Sequence, residues 1–180
     1  MFNLKDLDNK ITNNEDFTDY ILLPNELAIS YIKYKLNKSD NNNNSENNEN
    51  IRRYDYMYKK LVKLNASSKC QITGYINTVC DVAHIYPFSK CKLNSEKYDP
   101  ANGIFICSNI HKLLDNTKYI NIVYDDDNNY FIKIEADMCK PEELNCARHV
   151  LNISNDSNMA PINNMSADSK KYIDMCKIDS

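Results

Sequence analysis

Tryptophan is absent from this chain, and glycine and histidine are scarce. Among its 180 residues there are two Gly and three His. No stretch approaches the roughly 18 uninterrupted apolar residues that a membrane-spanning helix requires. No N-terminal stretch combines a basic start, an apolar middle and a small-residue cleavage site, so no secretory signal is evident. We therefore expect a soluble, intracellular protein of the cytoplasm or nucleus, with no membrane partner.

Closely spaced cysteine pairs are also absent. The seven cysteines form no C-x-x-C motif, whereas structural zinc sites usually recruit closely spaced Cys or Cys/His pairs. Their odd number and the lack of a secretory signal argue against a disulfide framework. We expect reduced, scattered thiols. An irregular zinc site on Cys70, Cys80 and Cys107 stays open as an alternative.

Charge is unevenly distributed along the chain, although the net charge is only −3. From Ile51 to Asn121 there are 11 Lys and Arg against 5 Asp and Glu, a net of +6, so the remainder carries −9. A basic middle between acidic arms is typical of a surface that faces nucleic acid. A solvated, lysine-rich surface with no ligand would give the same count, so charge alone does not decide.

Composition divides the chain into four segments. Asn, Lys, Ile and Tyr are used heavily, as in AT-rich genomes, viral ones included. Seven Asn among residues 41–50 have nothing to bury and predict disorder. The apolar face of residues 24–36 predicts a helix before them. The predicted segments are a polar and helical N-terminal region (1–37), an Asn-rich disordered linker (38–50), the main domain (51–153, core 70–122) and a polar tail with a short helix (154–180).

Helical and strand patterns are mixed in the main domain, so we predict an α+β fold. Ser108 is predicted to cap the helix that it begins, because its hydroxyl can accept a backbone N–H. The predicted elements, in order, are an amphipathic helix (50–65), short β-rich runs around Gly74 and up to residue 86, a polar loop (87–102), a strand (103–107), a short helix (108–116), a β-hairpin (strands 119–124 and 129–135), a helix (141–153) and a last helix near 168–176.

Two of the three histidines lie in an ordered set of motifs. "CQITG" (70–74) is followed by "AHIYPFS" (83–89) and "DPANGIFICSNIHKLLD" (99–115). In this order, and with the "INI" that follows, the motifs resemble the HNH endonuclease family over about residues 70–122. The resemblance implies a ββα-metal core, here with an additional β-hairpin and flanking helices.

The residue types fit phosphodiester hydrolysis on physical grounds. Histidine is the side chain whose ordinary pKa suits a general base near neutral pH. A divalent ion can neutralise the phosphate and the leaving alkoxide together. His111 and Asp115 are four residues apart, so on a helix they share one face and can share one ion. This mixed N/O set suits Mg or Mn first, with Zn or Ni as alternatives.

The family resemblance implies a role for each matching residue. His84 is the general base, and Asn102 holds the loop so that this imidazole points correctly. His111 is a metal ligand, and Asp115 matches a helix position that often supplies another. The resemblance departs at Ala83, where many HNH enzymes carry an Asp or His that binds the ion.

Further candidates come from the residues around these motifs. Asp81 lies on the same strand face as Ala83 and is a candidate to replace the missing ligand, directly or through a water. The favoured alternative is an ion held by fewer protein ligands and more water, which would bind more weakly. Basic side chains are candidates for phosphate contact, with solvation as the alternative for each. They are Lys112 and Lys118 beside the predicted helix, and Arg52 and Arg53 near the start of the domain.

We expect a metal-dependent HNH endonuclease that uses one divalent ion to hydrolyse DNA, with RNA open as a second substrate. The main alternative is a catalytically inactive HNH-fold protein that binds nucleic acid or acts as an adaptor. A small structural-zinc adaptor built on the cysteines is the third hypothesis. No oligomeric state is predicted.

Overall fold

The computed structural model describes Ser30, residues 48–76 and residues 79–178. The helix predicted at 24–36 lies outside the described residues apart from Ser30, which is helical. Helix α1 (Asn48–Asn65) begins two residues earlier than predicted, within the segment assigned to the Asn-rich linker. The rest of that linker lies outside the described residues.

The described residues form an α+β fold, as the sequence predicted. They divide into two compact units, one made of residues 48–61 and 91–100, the other of residues 62–76, 79–90 and 101–178. No helix in these ranges is long and apolar enough to cross a membrane. The elements after α1 are β1 (Cys80–His84), α2 (Asn94–Lys97), β2 (Gly103–Cys107), α3 (Ser108–Asn116), β3 (Ile120–Tyr124), β4 (Tyr130–Ile134), α4 (Pro141–Leu151), β5 (Met159–Ile162) and α5 (Lys170–Ile178).

The first unit is built around tyrosines. Tyr58 of α1 is fully buried, and its ring meets Tyr98 edge-on with the ring centroids 6.5 Å apart. Tyr54, one helical turn earlier, also contacts Tyr98. Burial raises the pKa of the Tyr58 hydroxyl well above its ordinary value. Tyr58 and Tyr98 are therefore core residues rather than part of a surface on which bases would stack.

Strands β1 and β2 form an antiparallel pair in the second unit. The register runs from Cys80 opposite Cys107 to His84 opposite Gly103. All five residues of β2 are buried, and α3 follows it directly and contacts both strands. A strand that is buried along its whole length cannot move without exposing apolar surface. The pair therefore gives a fixed base for the side chains of β1 and α3.

The other sheet has the order β3-β4-β5, all antiparallel. Its first two strands form the predicted hairpin. Strand β5 was not predicted, because it lies in the segment that the sequence assigned to a polar tail. Helix α5 contacts β3 through Tyr124, whose hydroxyl donates to Asp174 at 2.7 Å. The predicted C-terminal helix is thus present, and it packs on this sheet.

Gln71 joins the site-bearing strands to the C-terminal segment. Its side chain is 5% exposed, and its amide oxygen accepts the N–H of Phe105 in β2 at 2.8 Å. Its amide nitrogen donates to the carbonyls of Asn163 and Asn164 at 2.8 and 3.1 Å. A buried polar group stabilises a fold when its hydrogen bonds are made. Here the amide is bonded at both ends.

We expect Gln71→Ala to lower the free energy of unfolding by about 2–4 kcal/mol, because it leaves the buried Phe105 N–H without its partner. Urea unfolding followed by circular dichroism measures the change. Asn145→Ala, an exposed position on α4, is the control and should change stability little. Equal stability of the two variants would contradict the linking role of Gln71.

Candidate active site

His84 is the last residue of β1. It is half-buried, and its ring meets Phe88 edge-on with ring centroids 5.4 Å apart. Alternation along the strand places Val82 and His84 on one face and Asp81 and Ala83 on the other. The imidazole therefore lies at the end of the strand, where the chain leaves the sheet.

Asn102 fixes the segment that follows His84. Its side chain is fully buried. The N–H of Tyr86 donates to the Asn102 amide oxygen at 2.7 Å, and the Asn102 amide nitrogen donates to the Tyr86 carbonyl at 3.2 Å. The N–H of Ile85 donates to the Asn102 carbonyl at 3.0 Å. Both residues after the imidazole are thus bonded to one asparagine.

Only one of the two glycines lies in a left-handed turn. Gly74 has φ +73°, a conformation that residues with a Cβ rarely adopt. Gly103 begins β2 opposite His84 and does not have a positive φ. The turn directly before it is made by the 3-10 helix Pro100–Asn102.

His111 lies between two carboxylates. Its Nε2 is 3.3 Å from a carboxylate oxygen of Asp115, one turn further along α3. Its Nδ1 is 4.0 Å from a carboxylate oxygen of Asp81 on β1. The structure thus brings together three of the predicted site residues, and it places the two carboxylates against different ring nitrogens.

Ser108 does not cap α3 as predicted. The N-cap position is Cys107, and no side chain caps the helix. The Ser108 hydroxyl instead contacts the Asp81 carboxylate and, at 3.2 Å, the carbonyl of Val79. Sequence reasoning missed this contact, since it depends on how α3 packs on β1.

A divalent ion fits one side of His111. The 3.3 Å between His111 Nε2 and the Asp115 oxygen is a separation that two ligands of one ion can have. Within residues 48–76 and 79–178, no group of three or more His, Cys, Asp or Glu side chains is placed to hold an ion. Ala83 is buried and supplies no donor. Among the described residues, His111 and Asp115 are thus the two donors that could share an ion at this position.

The predicted phosphate-binding residues are on the surface where the structure describes them. Lys112 and Lys118 are exposed, at α3 and just before β3, and Arg52 is exposed on α1. The side chain of Arg53 lies outside the described residues.

Three cysteines cluster beside the β1–β2 pair. Cys80 and Cys107 are cross-strand partners with sulfur atoms 3.9 Å apart. Burial, together with the hydrogen bond to Cys107, raises the pKa of the Cys80 thiol to about 12. Burial opposes ionisation of Cys70, but hydrogen bonds from Thr73 and from backbone N–H groups bring its pKa below the ordinary value. All seven cysteines are free thiols.

The segment that carries these motifs is similar to a known protein family. Residues 70–119 match a family model described as HNH endonuclease, which covers under a third of the chain. This segment belongs to the HNH endonuclease family. No curated protein and no solved structure matches the chain. The matched segment contains β1, β2 and α3. It therefore includes His84, Asn102, His111 and Asp115.

We expect Asn102→Ala to lower the free energy of unfolding by about 2–4 kcal/mol, because the Tyr86 N–H and carbonyl would lose their hydrogen bonds to the Asn102 amide. Thermal or urea unfolding measures this. Asn121→Ala, an exposed position on β3, should cost far less. A stability loss no larger than that of the control would show that the Asn102 amide does not hold this segment.

Proposed function

We propose that the chain is a metal-dependent HNH endonuclease that hydrolyses DNA phosphodiester bonds, with a ββα-metal core formed by β1, β2 and α3. The observation that carries this proposal is the family match over residues 70–119. It is supported by the way the matched motifs fold. An imidazole lies at the end of β1, a buried Asn follows it, and a His/Asp pair lies on the next helix.

His84 is proposed as the general base. A neutral imidazole can take a proton from water as the oxygen attacks phosphorus, and positioned acid–base groups of this kind typically contribute about 10²–10⁴ in rate. Such catalysis requires the imidazole to keep a fixed orientation. The hydrogen bonds of Asn102 to Ile85 and Tyr86 support this, because they fix the two residues that follow His84.

His111 and Asp115 are proposed to hold one divalent ion, Mg or Mn by preference, since carboxylate and water ligands suit these ions. When bound, the ion supplies neutralisation of charge on the phosphate and on the leaving oxygen. The short His111–Asp115 distance supports the pair as its protein ligands. Both side chains lie on α3, whose neighbour β2 is buried along its whole length.

DNA is the proposed substrate, with RNA as a second one to be tested. The net charge of +6 between Ile51 and Asn121 supports binding to phosphates. Lys112 follows His111 directly on α3 and is exposed, so it is proposed to contact the backbone of the nucleic acid. Lys118, Arg52 and Arg53 are proposed to contribute in the same way.

An inactive nucleic-acid-binding or adaptor protein is the second candidate. The observation that favours it is Ala83, which is buried where many HNH enzymes have a metal ligand. Salt-sensitive DNA binding without cleavage in Mg, Mn, Zn or Ni would select this function over the nuclease.

We expect purified wild-type protein to nick plasmid DNA in the presence of Mg or Mn, and we expect the nicking to stop when a chelator is added. His84→Ala should slow nicking by about 10²–10⁴-fold, since it removes the base. His149→Ala, an exposed histidine on α4, is the matched control and should leave the rate unchanged. Nicking by His84→Ala at the rate of the control would refute the role given to His84.

A further inference from the structure

We propose that Asp81 is a positioning residue that acts through His111, and not a ligand of the ion as the sequence suggested. This inference rests on the proposed function, because it concerns the same ion site. It assigns each of the two carboxylates beside His111 a different task. Asp115 binds the ion, whereas Asp81 sets the orientation and the tautomer of the imidazole.

The geometry of the imidazole ring separates the two carboxylates. Asp81 is on the Nδ1 side of His111, and Asp115 is on the Nε2 side. The two ring nitrogens point away from each other and cannot bind the same ion. An ion bound by one ring nitrogen and by the carboxylate beside it therefore lies on the opposite side of the ring from the other carboxylate. The same geometry explains why the three side chains do not form a three-ligand group.

Distances and contacts identify which carboxylate binds. Asp115 is closer to the ring, at 3.3 Å against 4.0 Å for Asp81, and both carboxylate side chains are exposed, at 66% and 55%. The Asp81 oxygen that faces Nδ1 also contacts the hydroxyl of Ser108. Asp115 is thus the carboxylate nearer to the ring, while Asp81 is already engaged by the first residue of the helix that carries His111.

Ser108 ties the Asp81 carboxylate to α3. Its hydroxyl has one proton and two acceptors, the Asp81 carboxylate and the Val79 carbonyl. Ser108 is the first residue of α3 and His111 lies three residues later. Asp81 is on β1, so the contact joins the strand to the helix at the imidazole. At 4.0 Å, Asp81 and Nδ1 are too far apart for a direct hydrogen bond. The proposed interaction would form through a bridging water or after a small side-chain rotation.

The chemical consequence is a choice of tautomer. A neutral imidazole has one N–H, and a carboxylate beside Nδ1 favours the form with the proton there. The lone pair of Nε2 then faces Asp115 and the ion. Removing a partner that orients a metal-binding histidine typically weakens the metal affinity by about 10–100-fold.

A double-mutant cycle tests the inference. Mn²⁺ binding to the full chain is measured by electron paramagnetic resonance of the free ion, for wild type, Asp81→Ala, His111→Ala and the double variant. If Asp81 acts through His111, Asp81→Ala weakens binding about 10–100-fold in the native background. It has no further effect when His111 is already Ala, because the two residues act as a unit. A further loss in the His111→Ala background, or no loss in the native one, would overturn the proposal.

A second readout reports the tautomer directly. Nitrogen NMR of the imidazole in the presence of Mg²⁺ should show His111 with its proton on Nδ1, and Asp81→Ala should shift the population toward Nε2–H. Asp127→Ala removes an equal charge from an exposed turn between β3 and β4 and should leave both readouts unchanged. Circular dichroism checks that each variant is folded. An unaltered tautomer in Asp81→Ala contradicts the positioning role.

Failure of this inference can be separated from failure of the nuclease proposal. If wild type nicks DNA through His84 but the cycle shows independent effects, only the role of Asp81 is refuted. If the cycle gives the expected coupling but no metal supports cleavage, the nuclease proposal fails and the positioning role stands. If wild type binds no Mn²⁺, with or without duplex DNA, both are refuted.

Discussion

The backbone that follows His84 depends on one buried side chain, the amide of Asn102. It is bonded to the N–H and the carbonyl of Tyr86, and its own carbonyl accepts the N–H of Ile85. A polar group in a fully buried position is costly unless its hydrogen bonds are made, so the amide determines which backbone can lie against it. That backbone is the segment that leaves β1 at His84. The β1–β2 register then places Asp81 opposite Ile106, and the helix that follows β2 contacts β1.

Much of the fold could be predicted from the sequence, because the residue patterns that indicate its helices and strands are local. Two β-rich runs joined by an acidic Asp/Asn turn predicted the β3–β4 hairpin, and residues 103–107 were predicted as the strand that β2 forms. Strand β5 could not be predicted, because Met159–Ile162 is short, contains a proline and pairs with β4 only in the folded chain. The same holds for Gln71, whose partners lie more than 30 residues away at β2 and more than 90 away near the C-terminal end.

The candidate site was predictable as a set of residues but not as an arrangement. Helical spacing predicted that Asp115 would lie beside His111, and the motif order pointed to Asn102 and His84. Sequence spacing cannot show that Asp81 reaches the opposite ring nitrogen of His111, because that depends on how α3 packs on β1. The contact of Ser108 with Asp81 was missed for the same reason. The preference of serine for N-cap positions predicted that Ser108 would cap α3. In the folded chain its hydroxyl contacts the Asp81 carboxylate instead.

The central claim is that His84 and the His111–Asp115 pair act on the same phosphodiester. The most direct measurement is a crystal structure of the full chain with Mn²⁺ and duplex DNA, in which anomalous scattering locates the ion. We expect one ion bound by His111 Nε2 and the Asp115 carboxylate, in contact with a phosphate that the His84 imidazole also faces. An ion bound elsewhere, or a phosphate at that ion beyond the reach of His84, would contradict the account.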